Sequence, residues 1–334
     1  AHAYFECYRP DTVVIAQGHD IVSAVLRHFA VLRGLRVVSL ENTFHKDRLL
    51  WEDVSGVSVN RNLARNHYWR HREFVSDQTA CESVNAYLCR LKTSKSGEHT
   101  SPDARLPDDC GSPRTITYLA QVGTDSSVLF GLRRFASQAD LIATLAEHAA
   151  ERSWRLIVKL HPKENPAFQD EMTTVRGLTA EALAAHAGFQ AARARLGDRL
   201  VLDADNRYDT YDLIRRADVC VTINSQAGLE AALFGREVIL CGDAFYGALG
   251  FTHEATDPAM LRFILDRVLG EGIRHNEGPD ARAFFHIYTE LYCLPKTAES
   301  IVRLLAARPA FARVDTPRAA LTQSDTKTEL LVNS

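Results

Sequence analysis

The second half of the chain alternates short apolar runs with longer amphipathic stretches. Runs rich in Val, Ile and Leu predict strands at 115–121, 154–160, 199–204, 218–224 and 236–242. Segments with apolar residues at helical spacing predict helices at 137–152, 175–196, 211–217, 226–234, 257–269, 281–291 and 297–307. Strands that alternate with helices in this way form a largely parallel sheet that helices cover on both faces.

The first part of the chain predicts one β-α-β unit. A β-branched run at 12–17 is followed by helical spacing over 19–34, where Gly34 suits a helix end, and by a second apolar run at 35–40. In such a unit, ligands bind at the carboxyl ends of the parallel strands.

The segment between the two parts is polar. Residues 41–70 have no clear period and predict a long functional loop, while 72–92 predicts a helix and 93–114 is rich in Ser, Pro, Gly and Asp. We therefore predict an α/β protein with two Rossmann-like halves that face each other across a cleft. The predicted divisions are an N-terminal domain at 1–112 that ends in the linker 93–114, a C-terminal domain at 113–311 and a flexible tail at 312–334.

Composition limits the classes of function. The 334 residues are 46% hydrophobic and 24% charged with a net charge of −3, which is typical of a globular protein and gives no basic field for nucleic acid. No apolar run approaches the roughly 20 residues that span a bilayer, and we expect no signal peptide. The seven cysteines are scattered without a CxxC pair, which favours reduced thiols in a cytoplasmic protein. The chain begins with Ala, and we expect it to be a piece of a longer protein.

Four predicted strands of the second half end in polar clusters. These are "QVGTDSSV" (121–128), "HPKE" (161–164), "NSQAGLEAALFG" (224–235) and "GDAFYGALGFT" (242–252). Because the carboxyl ends of parallel strands share one edge, these clusters are expected to meet in one site.

The segment "NSQAGLEAALFG" has the features of a ligand-binding helix start. Asn224 or Ser225 can cap the helix and leave N–H groups that suit an anion. Gly228 allows a ligand or neighbouring backbone to come close, Glu230 can accept both hydroxyls of a ribose, and Gly235 ends the helix. An ordinary capped helix remains the alternative.

The segment "KLHPKE" combines three basic side chains around a proline. Pro162 biases His161 toward extended geometry at the strand end, and Lys159, His161 and Lys163 suit a phosphate or carboxylate. A strand end with solvated lysines is the alternative.

Two carboxylates are candidates for catalysis. Asp125 lies in a Gly-containing turn after the first strand of the second half, and Glu41 ends the second strand of the first half. Two carboxylates facing each other across a cleft fit acid/base and nucleophilic work at an anomeric carbon. Each residue alone could equally be a turn former or an ordinary acid at a strand end.

Other motifs give weaker indications. "DAD" (203–205) leads into a helix and is interpreted as turn and cap residues rather than as a metal-binding DxD motif. The histidines and cysteines show no metal-ligand spacing, and the phosphate-binding GxxxxGK[ST] and hydrolase GxSxG motifs are absent from the sequence. The loop 41–70 carries cations and aromatic rings suited to a sugar or a lipid phosphate, among them His45, Arg48, Trp51 and Arg61.

The ordered set of Glu41, "GVSVNRN" (56–62), "QVGTDSSV", "KLHPKE", "NSQAGLEAALFG" and "GDAFYGALGFT" resembles the capsule-polysaccharide family of retaining β-Kdo transferases. Kdo is the acidic eight-carbon sugar 3-deoxy-D-manno-oct-2-ulosonic acid, and its activated form is CMP-β-Kdo. The resemblance covers roughly residues 12–255. It implies a GT-B-like fold in which 1–112 is the acceptor side and 113–311 binds the CMP-sugar.

The resemblance also implies roles for individual residues. Asp125 is implied as the nucleophile and Glu41 as the general acid/base, without a metal ion or other cofactor. For donor binding, the resemblance implies that His161 and Pro162 meet the CMP phosphate and that Asn224, Ser225 and Glu230 hold the phosphate and ribose. From the chemistry of the residues themselves, we add Lys159 and Lys163 at the leaving phosphate, Ser126 or Lys163 at the Kdo carboxylate, and Gln121 as a further donor-binding residue.

The expected partners are a CMP-sugar donor and a glycan or glycolipid acceptor. We expect a cytoplasmic protein, with peripheral contact at the inner membrane left open. Three alternatives stay open: a sialyltransferase-like enzyme, a UDP-sugar epimerase or transferase of the same build, and a non-catalytic module that binds nucleotide or glycan.

Overall fold

The structure, a computed structural model, describes residues 2–16, 20–53, 61–94, 104, 106–108, 111–129, 131–165, 177–275 and 278–307. The strands within these ranges are β1 Thr12–Ala16, β2 Arg36–Asn42, β3 Arg48–Glu52, β4 Thr115–Leu119, β5 Arg155–Lys159, β6 Leu200–Asp203, β7 Val219–Thr222, β8 Glu237–Leu240, β9 His253–Glu254 and β10 Leu294–Pro295. The α-helices are α1 His2–Tyr8, α2 Ile21–Leu32, α3 Arg61–His71, α4 Asp77–Ser94, α5 Ser126–Leu129, α6 Gln138–Arg152, α7 Leu178–Ala185, α8 Ala187–Leu196, α9 Thr210–Arg216, α10 Gln226–Leu233, α11 Pro258–Leu265, α12 Pro279–His286 and α13 Ala298–Ala306.

The larger sheet has six parallel strands in the order β6-β5-β4-β7-β8-β9. Its central strands β4, β5, β7 and β8 are buried along their whole length, as parallel strands covered on both faces must be. The strand order reverses between β4 and β7, which is where doubly wound α/β folds bind ligands.

The smaller sheet has the order β1-β2-β3-β10 and is mixed. β1 and β2 run parallel, as the predicted β-α-β unit requires, whereas β3 and β10 are antiparallel to their neighbours. β10 lies near the C-terminal end of the described residues, so the chain returns there to the sheet with which it started. The domain limits at 1–112 and 113–311 stay a prediction, since much of the linker 93–114 and the whole tail 312–334 lie outside the described residues.

Local sequence signals account for most helix ends. The Asp20 side chain caps α2 by accepting from the Ser23 N–H at 2.9 Å, and Gly34 follows that helix in the left-handed region at φ +70°. The predicted end of α10 at Gly235 is likewise confirmed by its φ of +73°.

An aromatic cluster joins the two halves. Phe44 follows β2, Tyr87 lies on α4, and both rings pack against Phe285 of α12. Phe245, in the loop after β8, packs against Phe44 and against Tyr288 in the π-helical turn Ile287–Tyr292. Burial of these large rings stabilises the contact between the smaller sheet and the carboxyl edge of the larger one.

The segment 41–70 differs from its prediction as one long loop. It contains β3, which pairs with β2 so that Leu40 lies opposite Trp51, and it also contains α3. The single helix predicted at 175–196 is two helices, because His186 leaves the helical region at ψ 105° and caps the second one.

Candidate active site

Two of the predicted strand ends meet at the point where the strand order reverses. Gln121 follows β4 and Asn224 follows β7. The Gln121 Nε2 donates to Asn224 Oδ1 at 2.8 Å, and the Asn224 N–H donates to Gln121 Oε1 at 3.0 Å. The structure therefore brings these two predicted donor-binding residues together as a reciprocal amide pair.

Gln138, the first residue of α6, holds Gln121 in place through hydrogen bonds to its backbone. Its Oε1 accepts from the Gln121 N–H at 3.0 Å and from the Tyr118 hydroxyl at 3.1 Å, and its Nε2 donates to the Gln121 carbonyl at 2.8 Å. Gln138 was not predicted as a site residue, since a glutamine at a helix start carries no signal of such a network.

His161 lies at the end of β5, as predicted, and its ring is oriented by the backbone. His161 Nδ1 accepts from the Lys163 N–H at 3.1 Å, so the neutral ring carries its proton on Nε2. Burial lowers the pKa of His161 and the Lys163 charge lowers it further, whereas Asp125 raises it. The neutral ring is therefore favoured, with one N–H left to donate.

Glu164 connects the segment that follows β5 with the turn that contains Asp125. Its carboxylate is 2% exposed and accepts from the Gly123 N–H at 3.2 Å, the Thr179 N–H at 2.9 Å and the Thr179 hydroxyl at 2.9 Å. Glu164 was quoted within "HPKE" but not selected as a site residue. A buried glutamate that accepts backbone N–H groups from two other segments is a positioning residue.

Asp125 lies in a turn with its side chain exposed. Its N–H donates to the Val122 carbonyl at 2.9 Å, and its own carbonyl accepts from the N–H groups of Val128 and Leu129, the last two residues of α5. The turn thus presents the carboxylate to solvent beside His161, close enough to affect its pKa. Ser126 begins α5, but its side chain lies outside the described residues.

Lys159 does not have the environment predicted for a donor-binding residue. It is 5% exposed, and its Nζ donates to Asp203 Oδ2 at 2.7 Å and to the Tyr208 carbonyl at 2.8 Å. The ion pair between neighbouring strands already neutralises its charge. Asp203 also accepts from the Arg207 N–H at 2.7 Å, in agreement with the interpretation of "DAD" as turn residues.

The start of α10 agrees with its predicted capping. Ser225 Oγ accepts from the Ala227 N–H at 3.2 Å, and the Ser225 carbonyl accepts from the Tyr246 hydroxyl. A Cβ on Gly228 would lie 2.2 Å from that hydroxyl oxygen. The glycine therefore makes room for a buried tyrosine, rather than for the ligand or backbone that we expected.

Glu230 is held by two tyrosines and is 4% exposed. Its Oε1 accepts from the Tyr87 hydroxyl at 2.7 Å and its Oε2 accepts from the Tyr211 hydroxyl at 3.3 Å. Tyr87 comes from α4, so this carboxylate connects the two parts of the chain, which no sequence pattern indicated.

Glu41 lies near the end of β2, half-buried, and its charge helps to raise the pKa of Tyr288. Tyr288 stacks on Phe44 with ring centroids 5.7 Å apart, within the aromatic cluster between the halves. That Glu41 and Asp125 face each other across a cleft stays a prediction.

The predicted acceptor-side residues lie along β3 and the turn before it. His45 is buried and stacks on Tyr87, Arg48 pairs with Glu290, and the Trp51 indole N–H donates to the Tyr292 carbonyl at 3.0 Å. Arg61 begins α3, but its side chain lies outside the described residues.

In the ranges that the structure describes, no group of three or more His, Cys, Asp and Glu side chains is arranged to hold a metal ion. A search of the same ranges found no helix with the length and hydropathy needed to cross a membrane.

Comparisons with solved structures identify the fold. The β-Kdo 2,7 transferase of Thermosulfurimonas dismutans KpsC matches over 88% of this chain and 81% of that chain, with a TM-score of 0.54 and 16% identity. The β-Kdo 2,4 transferase of the same KpsC matches over 88% of this chain and 87% of that chain, with a TM-score of 0.46 and 16% identity. UDP-GlcNAc 2-epimerase from Neisseria meningitidis matches over 86% of this chain and 77% of that chain, with a TM-score of 0.38 and 11% identity. At these identities the likeness concerns the fold alone, and the predicted GT-B-like α/β class is confirmed.

Comparisons of sequence identify the family. No curated protein matches the chain. The profile described as capsule polysaccharide biosynthesis protein matches residues 57–261, which include the Asp125 turn, the His161 corner and the start of α10. Because this match covers more than half of the sequence, the chain belongs to the capsule polysaccharide biosynthesis protein family.

Proposed function

We propose that the chain is a glycosyltransferase that moves Kdo from CMP-β-Kdo to a glycan or glycolipid acceptor and forms a β linkage. The observation that carries the proposal lies at the carboxyl ends of the neighbouring strands β4 and β5, where Glu164 holds the Asp125 turn beside His161. Family membership supports a role in capsule synthesis. The fold shared with a protein described as a β-Kdo transferase supports Kdo as the sugar.

In the first step the Asp125 carboxylate attacks the anomeric carbon of Kdo. A carbon–oxygen bond to Asp125 forms while the bond to the CMP phosphate breaks, and CMP leaves with the bonding electrons. The exposed position of Asp125 at the tip of its turn allows this approach. The product of the step is a glycosyl ester of inverted configuration.

The leaving phosphate gains negative charge, which groups of the corner can stabilise. His161 donates from Nε2, Lys163 is exposed beside it, and Ser225 begins a helix whose N-terminal N–H groups favour anions. This assignment needs no metal ion. Lys159 is not part of it, since its charge is used within the fold.

Glu41 acts in the second step. Its carboxylate takes the proton from the acceptor hydroxyl, whose oxygen attacks the anomeric carbon and releases Asp125. Two inversions give net retention, as in retaining glycosidases, whose carboxyl groups are typically about 5 Å apart. A donor and a product that are both β-linked require this outcome.

The amide pair and Glu230 are assigned to the rest of the donor. Gln121 and Asn224 lie at the crevice that receives nucleotides in folds of this type. Glu230, whose carboxylate can accept hydrogen bonds from hydroxyl groups, is assigned to the ribose.

The test is to trap the covalent intermediate. The purified chain is incubated with CMP-Kdo without acceptor, and peptides are analysed by mass spectrometry. We expect a Kdo adduct on the peptide that contains Asp125, and no adduct in Asp125→Asn, which keeps CMP binding. Asp205→Asn, a change in the neighbouring "DAD" turn, serves as the control and retains the adduct.

The same experiment separates the alternatives through its donor. An adduct formed from CMP-sialic acid but not from CMP-Kdo would indicate a sialyltransferase-like enzyme, and turnover of UDP-sugars alone would indicate an epimerase or transferase of that class. CMP binding without an adduct from any donor would refute the double displacement.

A further inference from the structure

A basic pocket of about 440 Å³ lies at the carboxyl end of β2, and we propose that it binds an oxyanion group of the acceptor. The basic pocket is defined by His45, Lys46, Arg48, Arg90 and Lys296. Its identification as the acceptor subsite rests on the proposed function, whereas the anion site itself does not.

The charges of the basic pocket are only partly compensated within the fold. Arg48 pairs with Glu290, and Arg90 pairs with Asp47 at 3.1 Å. Lys46 and Lys296 form no ion pair among the residues that the structure describes. The positive charge that remains favours an anion, and guanidinium groups match the planar geometry of carboxylate and phosphate oxygens.

The walls of the pocket are held together by one backbone and one side-chain hydrogen bond of Lys296. The Lys296 N–H donates to the Asp47 carbonyl at 2.8 Å, and Lys296 Nζ donates to Asn42 Oδ1 at 2.7 Å. Asn42 ends β2 one residue after Glu41, so an acceptor group in the pocket lies beside the strand end that carries the proposed acid/base. Arg90 is exposed in its pair with Asp47, and such pairs contribute little, so an incoming anion can replace the carboxylate.

The basic pocket lies one aromatic layer from the proposed donor site. The His45 ring stacks on Tyr87 with centroids 5.6 Å apart, and the Tyr87 hydroxyl donates to Glu230. Arg90 is three residues after Tyr87 on α4, which places both side chains on one face of that helix. The two sites are therefore neighbours, as transfer between two bound substrates requires.

The volume of the pocket indicates the size of the ligand. About 440 Å³ is in the range of pockets that hold small molecules, which is about 300–1,000 Å³. A phosphate or carboxylate carried on a sugar therefore suits it better than an isolated ion. The shared chemistry is an oxyanion, which either an acidic sugar or a sugar or lipid phosphate could supply.

His45 provides a direct readout of binding. Burial lowers its pKa, and Arg90 and Arg48 lower it further, while Asp47 and Glu290 raise it. An anion in the pocket offsets the two arginines and raises this pKa. The full chain is therefore titrated with inorganic phosphate and, separately, with glucuronate, while the imidazole signals of His45 and of His67, which lies outside the pocket, are followed by NMR.

We expect a saturable shift of the His45 signal, a rise in its pKa and an unchanged His67. Lys296→Gln raises the dissociation constant of the anion about tenfold, which is the effect of losing one charge-assisted hydrogen bond. Arg303→Gln, which removes an exposed charge elsewhere, leaves it unchanged. Saturation by phosphate alone assigns the anion to a phosphate, and saturation by glucuronate alone assigns it to an acidic sugar.

The proposal is overturned if neither anion gives a saturable His45 shift, or if folded Lys296→Gln binds as tightly as the unmodified chain. Neither titration uses a sugar nucleotide, so the result does not depend on the proposed transfer. In addition, Lys296→Gln is expected to form the Asp125 adduct normally in the absence of acceptor. A variant that loses both adduct and anion binding would contradict the assignment of Lys296 to a separate subsite.

Discussion

Glu164→Ala tests whether one buried carboxylate holds the candidate site together. The side chain is 2% exposed and accepts three hydrogen bonds from Gly123 and Thr179. Removing it leaves these donors without their acceptor, and the Thr179 N–H is buried.

The expected loss of stability follows from these contacts. A hydrogen bond to a charged group contributes about 1.5–3 kcal/mol, and a buried donor left unsatisfied costs about 1–3 kcal/mol. The carboxylate itself is costly to bury, which offsets part of the loss when it is removed. We expect Glu164→Ala to lower the free energy of unfolding by about 3 kcal/mol, or the melting temperature by roughly 4 °C in a chain of this size.

Glu164→Gln separates the two carboxylate oxygens. Oε1 accepts from the Gly123 N–H and the Thr179 hydroxyl, while Oε2 accepts from the Thr179 N–H. An amide can keep the first two bonds but places an NH₂ group against the third donor. The expected loss is therefore about 1–1.5 kcal/mol, since one bond of the three is removed.

Stability is measured by urea unfolding and by calorimetry at neutral pH, with Glu181→Gln as the control. Glu181 is an exposed glutamate near the same contacts, and its change is expected to stay within about 0.5 kcal/mol. If Glu164→Ala changes the free energy of unfolding by no more than the control does, the carboxylate does not anchor the Asp125 turn. An equal loss for Ala and Gln would refute the division between its two oxygens.

Three further predictions address packing, donor binding and pH. Gly228→Ala places a methyl group 2.2 Å from the buried Tyr246 hydroxyl oxygen, so urea unfolding should show a loss of about 1–3 kcal/mol; no loss would mean that α10 moves freely. Glu230→Gln should weaken CMP affinity about tenfold in isothermal titration calorimetry, the effect of losing a charged acceptor, and an unchanged affinity would remove this residue from the donor site. Burial lowers the pKa of His67 in the folded state. As the pH falls below about 6.5, the unfolded state therefore binds more protons than the folded state. The free energy of unfolding then decreases by up to about 1.4 kcal/mol per pH unit. His67→Phe, which keeps the ring stacked on Tyr292, should reduce that decrease between about pH 7.5 and about pH 5.5, and an unaltered pH dependence would contradict this account.

Periodicity predicted the larger sheet well because its strands are buried on both faces. Apolar runs such as that of β5 are readable without any knowledge of their neighbours, and the helix ends at Gly34 and Gly235 depend on local conformation. Short pairing strands were missed. β10 has only two residues and pairs with β3 from a distant part of the chain, and β3 lies after a short turn in a segment without a clear period.

The candidate site was predicted in part. Polar residues at the ends of parallel strands meet by the rule of the fold, and Gln121 and Asn224 do so. The environment of Lys159 was not predictable, because its partner Asp203 belongs to the adjacent strand and the same lysine could equally have been solvated.

The sequence alone determined the α/β class, the parallel core and the order of the motifs along one sheet edge, since these depend on local periodicity and on a general rule of strand direction. The tertiary structure decided which charged groups are neutralised within the fold and which remain for a ligand. It paired Lys159 with Asp203, gave Glu230 a tyrosine from α4 and left Lys296 without a carboxylate partner among the described residues. The physical reason is that a side chain's charge and hydrogen-bonding capacity depend on its neighbours in space, which come from distant parts of the chain.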